Sequence, residues 1–343
     1  MKPKIYFICP TNKFASGGVK HIYRQVELLN QNGFNSVLLL KEKADQNWFS
    51  SKVPVEVSPY IFKKLKYHYK NKKINIFRKL ILSFLKTLSI NLEKDPILVF
   101  PEIYGPRIHE IEVGVKKVIF NQNCYYTFDH FPLFQDPQNN PYLHRDTAAI
   151  IVCSKDAQHY MENTFPNANT FRMRLGIDSE IFGYSEKKKK QIAFMPRKLS
   201  DDLQQVINIL RLRKRLENWD FVPIENKTEN EVAEIMKESA VFLSFNHKEG
   251  FGLPPAEAMS CGCYVVGYCG QGGEEYFKPE FSTAVPDGDI ISFVKSVENV
   301  CQQIEENPLF RSKVMLASNF IREHYSVKNE ENDVVNIWEK ILH

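Results

Sequence analysis

Short apolar runs alternate along the chain with stretches in which apolar residues recur at helical spacing. The run over 4–9 predicts a first strand, a polar turn follows over 10–18, and residues 19–30 predict a helix. A second strand is predicted over 36–40. Strand, helix and strand in this order are typical of a parallel βαβ unit, so the pattern predicts an α/β fold.

The same alternation continues along the rest of the chain, with a polar and basic link at 185–190. We place a domain boundary just before this link, near residue 182. Two domains agree with a length of 343 residues at roughly 150 residues per domain. Further strands are predicted over 97–100, 118–121, 148–153, 191–195, 220–223, 240–245 and 264–268, and helices over 201–215, 228–239, 290–305, 307–323 and 326–342.

Candidate binding chemistry follows the apolar strand over 240–245. Gly250 and Gly252 allow the backbone to come close to a ligand. A short helix is predicted from Pro254 or Pro255 to Gly262, because proline suits a first turn and glycine a helix end. The beginning of such a helix presents N–H groups and the positive end of its dipole, which favours an anion such as a phosphate.

Two glutamates flank this glycine-rich turn. Glu249 is placed at the end of the strand and Glu257 in the first turn of the helix. Both carboxylates are therefore expected at the carboxyl edge of a parallel sheet, where such folds bind ligands. Since a carboxylate accepts hydrogen bonds from vicinal hydroxyls, two of them beside a phosphate site suit a sugar nucleotide.

This stretch resembles the donor-site signature of the retaining family 4 (group 1) glycosyltransferases of the GT-B fold. The resemblance rests on Glu249, the run Gly250, Phe251, Gly252, Leu253 and Pro254, then Glu257, Ala258 and Met259, and Cys261 with Gly262. It implies that Glu249 lies against the transferred sugar and that Glu257 binds the ribose, with Gly250, Phe251, Gly252 and Leu253 lining the donor site. An ordinary strand–loop–helix with two solvated glutamates is the alternative.

The resemblance assigns further residues outside this stretch. Arg197 and Lys198 follow a predicted strand and would hold the donor pyrophosphate, although they are adjacent rather than several residues apart. Gly17 and Gly18 would face the donor phosphates or the acceptor, with a plain tight turn as the alternative. Asn123 stands near the position of the histidine that family members often carry on the acceptor side, and a loop cap is the alternative.

The resemblance also implies the domain arrangement. A GT-B chain has two Rossmann-like domains that face each other across a cleft, and a C-terminal helix that crosses back to the first domain. We expect an acceptor domain over 1–182, a donor domain over 183–322 and the returning helix over 323–343. Trp338 is the expected anchor of that helix on the first domain.

The segment 63–88 is unusually basic. It contains no acidic residue, and Phe77, Leu80, Ile81, Phe84, Leu85 and Leu88 fall on one helical face. One interpretation is a surface that contacts anionic lipid or an anionic acceptor. The other is a helix whose apolar face packs on the sheet while its lysines are solvated. The nine basic residues are Lys63, Lys64, Lys66, Lys70, Lys72, Lys73, Arg78, Lys79 and Lys86.

Composition and charge narrow the classes of protein to which this chain can belong. A net charge of +4 is too small to indicate a nucleic-acid-binding protein. Seven scattered cysteines favour reduced thiols in the cytoplasm, and the Cys261–Gly262–Cys263 spacing does not favour a metal site. The first apolar run is too short for a signal peptide. No apolar run approaches the ~20 residues of a membrane-spanning helix, so any membrane contact is expected to be peripheral.

The resemblance implies a retaining, metal-independent hexosyltransferase that needs no cofactor. It would move a sugar from a nucleotide-sugar donor to a saccharide or lipid-linked acceptor in cell-surface or exopolysaccharide synthesis. The alternative is a catalytically silent nucleotide-sugar-binding or scaffold subunit, which a short second domain and the absent histidine would permit. The sequence does not identify the base, the sugar, the acceptor or the oligomeric state.

Overall fold

The computed structural model describes residues 2–11, 16–43, 51–70, 72, 75–133, 139–196 and 199–343. The chain forms two compact units, one made of 1–173 with 331–343 and the other of 174–330. These divisions differ from the expected boundaries at 182 and 322. The segment after 173 belongs to the second unit because Ile177 pairs with Ser326 there, and its N–H donates to the Tyr325 carbonyl at 2.7 Å.

The first unit is built on a parallel sheet in the order β3-β2-β1-β4-β5-β6-β7. The direction of strand addition reverses between β1 and β4, and ligands of such sheets bind outside the carboxyl ends at this reversal. The strands are β1 (Ile5–Ile8), β2 (Ser36–Leu40), β3 (Val55–Val57), β4 (Ile97–Pro101), β5 (Lys116–Asn121), β6 (Thr147–Val152) and β7 (Thr170–Arg172).

The helices of this unit cover and extend the sheet. Ile22, Val26 and Leu29 of α1 are buried, as the helical spacing of the sequence predicts. Two 3₁₀ segments, Glu102–Glu110 and Cys124–Tyr126, follow β4 and β5. The described helices are α1 (Gly17–Gln31), α2 (Pro59–Tyr69), α3 (Ile76–Thr87) and α4 (Lys155–Thr164).

The last helix of the chain completes the first unit. It is α10 (Val327–Leu342), and its residues from 331 onward belong to that unit. Trp338 is fully buried, with its ring centroid 5.8 Å from that of Phe7 on β1. The predicted return of the C-terminal helix to the first domain is therefore confirmed.

The second unit has a parallel sheet in the order β12-β11-β10-β8-β9. Here the reversal lies between β8 and β10, which again marks a ligand-binding edge. Its strands are β8 (Lys189–Phe194), β9 (Asp220–Pro223), β10 (Ser239–Glu249), β11 (Tyr264–Gln271) and β12 (Ser282–Ala284). Its helices are α5 (Ser200–Arg213), α6 (Glu229–Glu238), α7 (Leu253–Ser260), α8 (Ile290–Glu306) and α9 (Phe310–His324).

The basic segment 63–88 forms the end of α2 and the whole of α3. The interpretation in which its apolar face packs on the sheet is wrong. Phe77, Leu80, Phe84 and Leu88 are exposed, whereas Leu82 is buried. Lys73 lies outside the described residues.

Two further findings concern membrane-spanning helices and the cysteines. Within the described ranges, no helix is long and apolar enough to cross a membrane. None of the seven cysteines, all of which the structure describes, forms a disulfide, and all except Cys269 are buried.

Candidate functional site

Glu249 is the last residue of β10, as predicted, and lies beside the reversal of the second sheet. The pairing of β10 with β11 is regular up to Asn246 and Cys269, shifts, and resumes between Glu249 and Gln271. The shift produces a bulge at the residues just before Glu249. Bulges of this kind re-aim side chains at the end of a strand. The carboxylate of Glu249 is half-buried there.

The turns after β10 and β11 are packed against each other. A Cβ on Gly272 would lie 2.3 Å from the Gly250 carbonyl oxygen, so these two backbones touch where no side chain fits. Lys248 and Gln271 both have left-handed backbone conformations, with φ of 49° and 62°. The Lys248 N–H donates to Gln271 Oε1 at 2.9 Å. Strained residues of this kind concentrate at binding sites, where the surrounding structure holds them in place.

Gly252 is needed for packing within the protein. Its φ is +81°, and a Cβ there would lie 2.4 Å from Asn246 Nδ2 and 2.8 Å from Tyr276 Oη. The buried Tyr276 hydroxyl donates to the carbonyl oxygens of Phe251 and Gly252, and burial raises its pKa well above the usual value, so it remains a donor. The ring of Phe251 packs on Tyr276 and Tyr325. The conformation of this turn is therefore fixed by buried aromatic residues.

Helix α7 begins at Leu253, one residue earlier than the predicted start at proline. Pro254 and Pro255 lack N–H groups, so they reduce the number of donors at this helix end. Glu257 is the fifth residue of the helix and is half-buried, and the first turn contains no acidic residue. Its predicted place in the first turn is therefore wrong, because the helix begins before the prolines.

One side chain of this site has unused hydrogen-bonding capacity. Asn246 is 8% exposed, and its Nδ2 has no acceptor among the residues that the structure describes. A buried amide donor without a partner is costly. It lies on β10 beside Gly252, at the same edge of the sheet as Glu249.

The loop after β8 lies on the other side of the sheet reversal. Arg197 and Lys198, the predicted pyrophosphate ligands, lie outside the described residues. Helix α5 begins just beyond them, with Asp201 and Asp202 in its first turn. Asp202 accepts a hydrogen bond from the Tyr268 hydroxyl at 2.9 Å, which joins the start of α5 to β11.

His247 and Asp287 lie at the same edge of the second sheet. His247 Nδ1 is 2.9 Å from Asp287 Oδ2, and both side chains are partly exposed. Neither residue was predicted from the sequence as a site residue. Their only sequence signal is a histidine in the polar turn that follows an apolar strand.

In the first unit, polar groups meet at the carboxyl edge beside β1 and β4. Gly17 and Gly18 are the first residues of α1 rather than part of the preceding turn. Gln122 donates from Nε2 to the Gly18 carbonyl at 3.2 Å, and its backbone N–H donates to Glu102 Oε2 at 3.0 Å. Burial raises the pKa of Glu102 to about 7, even though backbone N–H groups stabilise the carboxylate.

Glu102 and Gln122 were not predicted from the sequence as site residues. Glu102 directly follows a fully buried strand, which was the available signal. Asn123, the proposed acceptor-side residue, is buried, and its Oδ1 accepts from the Tyr125 N–H at 3.1 Å, which caps the 3₁₀ segment. This hydrogen bond is the loop cap that was predicted as the alternative role of Asn123.

Cys261 and Cys263 are packing residues. Cys263 Sγ donates to the carbonyl oxygens of Met236 at 2.9 Å and Ser239 at 3.2 Å. Burial raises the pKa of both thiols, which disfavours the thiolate form that binds metals. In the described part of the chain, no group of three or more His, Cys, Asp or Glu residues could hold a metal ion.

The second unit thus brings two half-buried carboxylates, a fixed glycine-rich turn and a buried amide donor to one edge of its sheet. Carboxylates suit hydroxyl groups of a sugar or ribose, and the amide and helix end suit an oxygen-rich ligand. Residues 200–310 match the family model of the glycosyl transferases group 1. This region of the chain is therefore similar to the group 1 glycosyl transferases.

The matched region includes Glu249, Glu257 and the turn between them. A curated relative is the alpha-1,6-glucosyltransferase of Actinobacillus pleuropneumoniae serotype 7, with 29% identity over 171 residues. The match covers 48% of this chain and 51% of the relative, so it spans about half the length of both proteins.

Solved structures similar to this chain cover almost all of it. A TarM variant of S. aureus has a TM-score of 0.70 with 12% identity and covers 100% of both chains. The sucrose-phosphate synthase of Thermosynechococcus elongatus has a TM-score of 0.65 with 13% identity and covers 99% of both. The two Rossmann-like units and the returning helix have the GT-B architecture that the sequence predicted.

Proposed function

We propose that this protein is a retaining glycosyltransferase that moves a sugar from a nucleotide-sugar donor to a saccharide or lipid-linked acceptor. The observation that carries the proposal is the position of Glu249 and Glu257 on either side of the Gly250–Gly252 turn. Both lie next to the strand reversal of the second sheet, where α/β folds bind nucleotides.

The comparisons suggest which donor to test first. The TarM structure contains UDP and alpha-GlcNAc-glycerol, and the curated relative is named a glucosyltransferase. We therefore propose a UDP-linked hexose as the donor. The proposed setting is cell-surface or exopolysaccharide synthesis on the cytoplasmic side of a membrane.

The proposed roles are those that the family resemblance implies. Glu257 binds the ribose and Glu249 contacts the sugar as it departs, with Phe251 and Leu253 in the turn that lines the donor. Arg197 and Lys198 neutralise the leaving diphosphate, and this positive charge takes the place of a metal ion. The reaction needs no other cofactor. Stabilising charge that develops only in the transition state raises kcat rather than substrate affinity.

On the acceptor side, we propose that the edge formed by Gly17, Gly18 and Asn123 positions the acceptor. The buried carboxylate of Glu102 holds the backbone of the loop that contains Gln122 and Asn123. An acceptor hydroxyl held by such a fixed edge needs little reorganisation to reach the donor carbon.

A donor panel tests the proposal. The protein is incubated with UDP-hexoses with and without acceptor saccharides, and UDP release and the anomeric configuration of the product are measured. We expect UDP release that is insensitive to a chelator and a product that keeps the donor configuration. Arg197→Ala and Lys198→Ala should each weaken UDP binding by about 1.5–3 kcal/mol.

Several results would contradict this function. Donor binding without UDP release would favour the alternative of a silent nucleotide-sugar-binding subunit. An inverted product would exclude a retaining enzyme. Loss of activity on chelation would show that a metal ion is required after all.

A further inference from the structure

Helix α3 carries an apolar stripe made of Phe77, Leu80, Phe84 and Leu88. Positions spaced by three and four residues lie on one face of a helix. The four side chains are 69%, 64%, 64% and 55% exposed. Solvent-exposed residues of this size on adjacent turns form a continuous apolar surface, which on a soluble protein usually marks a binding face.

The other side of α3 contacts α2 through basic and aromatic side chains. The guanidinium of Arg78 lies 5.6 Å from the ring centroid of Tyr67, and Lys86 Nζ lies 5.6 Å from that of Tyr60. Both are cation–π contacts. Leu82, on this side, is the buried residue of α3. The apolar stripe therefore points away from α2 while the helix is held in place from behind.

Positive charge surrounds the apolar stripe. The segment 63–88 carries nine basic residues and no acidic one. Among those of known position, five are exposed: Lys66, Lys70, Lys72, Lys79 and Lys86. A helix with an apolar face and flanking lysines is the pattern of an element that lies in the plane of a membrane interface. Lysine and arginine side chains can then reach the headgroups while the apolar side chains enter the acyl region.

A further set of exposed apolar residues lies next to the end of α2. The hydroxyl oxygen of Tyr69 lies 2.6 Å from Nε2 of His130. The segment around His130 exposes Tyr126, Phe128 and Leu133. Exposed apolar residues thus occur both on α3 and on the segment that contacts α2.

We propose that the apolar stripe and its surrounding basic residues form a docking surface for an anionic lipid bilayer. Charge complementarity selects this occupant. A second copy of the chain docked through the same stripe would bring two segments of nine positive charges together, which like-charge repulsion opposes. An anionic surface instead attracts each basic residue, and this attraction falls off within a Debye length. The surface is independent of the transferase activity proposed above.

Vesicle flotation with the full chain tests this surface. The vesicles are phosphatidylcholine alone and phosphatidylcholine mixed with phosphatidylglycerol. We expect the protein to float with the anionic vesicles only and binding to weaken as salt increases. The stripe variant, Phe77→Ser with Leu80→Ser and Phe84→Ser, should lose at least about tenfold in affinity because each substitution removes apolar area that enters the lipid.

A matched control replaces exposed apolar residues of the second unit. Leu212, Ile291 and Leu309 are 81%, 55% and 76% exposed, so Leu212→Ser with Ile291→Ser and Leu309→Ser removes similar side chains from a different surface. This control should bind like the unmodified protein. In a separate variant, Phe84→Trp, the added tryptophan should emit at shorter wavelength with anionic vesicles and not with neutral ones.

Three outcomes would overturn the proposal. The first is equal partitioning onto neutral and anionic vesicles, or no binding to either. The second is a stripe variant that binds as well as the control variant. The third is sedimentation showing a dimer that the stripe variant dissociates, without vesicle binding, since the stripe would then be an interface between two copies.

Discussion

Two carboxylates separated by eight positions take different structural roles. Glu249 ends a strand and follows a bulge, whereas Glu257 is fixed within the second turn of a short helix. In the proposed function, which follows the family resemblance, Glu257 binds the ribose and Glu249 contacts the reacting sugar.

This difference predicts opposite effects of two substitutions. Glu257→Ala should lower the affinity for free UDP and for the donor by about 1–3 kcal/mol, because ribose hydroxyls lose their acceptor. Glu249→Ala should keep the UDP affinity and lose turnover. Calorimetry and a turnover assay measure both, with Glu225→Ala, an exposed glutamate, as the control. Normal turnover of Glu249→Ala, or unchanged UDP binding by Glu257→Ala, would show that the roles are assigned wrongly.

The raised pKa of Glu102 predicts that the stability of the folded protein depends on pH. Burial raises its pKa from 4.5 to about 7, so between these values the folded protein keeps a proton that the unfolded chain releases. Its contribution to stability therefore falls as pH rises through this window. Glu102→Gln cannot ionise and still offers an oxygen to the Gln122 N–H. The variant should gain stability over the unmodified protein as pH rises, by at most on the order of 2–3 kcal/mol.

The measurement is urea unfolding of both proteins from about pH 5 to about pH 8. His68, whose burial lowers its pKa to about 4, is present in both proteins, so its pH dependence cancels in the difference. A difference that stays constant over this range would mean that Glu102 is not protonated in the folded protein near neutral pH.

Elements with many buried residues were predicted well from the sequence. The bounds of the fully buried β2 are those predicted, and the fully buried β4 is one residue longer than predicted. Glu249 was placed correctly because the apolar run before it ends clearly. Strands β3 and β7 were missed because each has three residues and neither is fully buried. The start of α7 was misplaced because proline was expected at its first position, whereas Gly252 precedes the helix in a left-handed conformation.

The turn before α7 predicts a further result. Gly252→Ala should destabilise the protein, because a left-handed conformation costs roughly 1–2 kcal/mol for alanine and its Cβ would also overlap Asn246 and Tyr276. Gly288→Ala is the matched control, since its φ is +79° and nothing lies within 4 Å of the added Cβ. Urea unfolding should show a larger loss at Gly252. Equal losses would mean that only backbone conformation matters there.

At the scale of the whole molecule, each unit is a parallel sheet with its own strand order. The order 3-2-1-4-5-6 within the first sheet is the dinucleotide-binding arrangement, yet the sequence of its first turn lacks the usual glycine fingerprint. The α/β fold class was predicted from the alternation of strands and helices along the sequence. The strand orders could not be predicted in this way, because they depend on contacts between residues far apart in the sequence.

The position of α10 predicts that a substitution at Trp338 destabilises the first unit and leaves the second unit unchanged. Trp338→Ala should cost about 3–5 kcal/mol, because it empties a fully buried site beside Phe7. Trp338→Phe should cost less, since Nε1 of Trp338 has no partner in the described part of the chain. Hydrogen exchange should show lost protection in β1 for the alanine variant and unchanged protection in β10. Equal loss in both strands would contradict the division into units.

The discontinuous make-up of the first unit has a consequence during protein synthesis. Residues 174–330 leave the ribosome as one continuous piece, and the second unit can fold as soon as they emerge, since domains generally fold as units during translation. The first unit can bury the ring of Phe7 against Trp338 only after the end of α10 has been translated. Until then, this part of its core lacks the side chain that covers it in the folded protein.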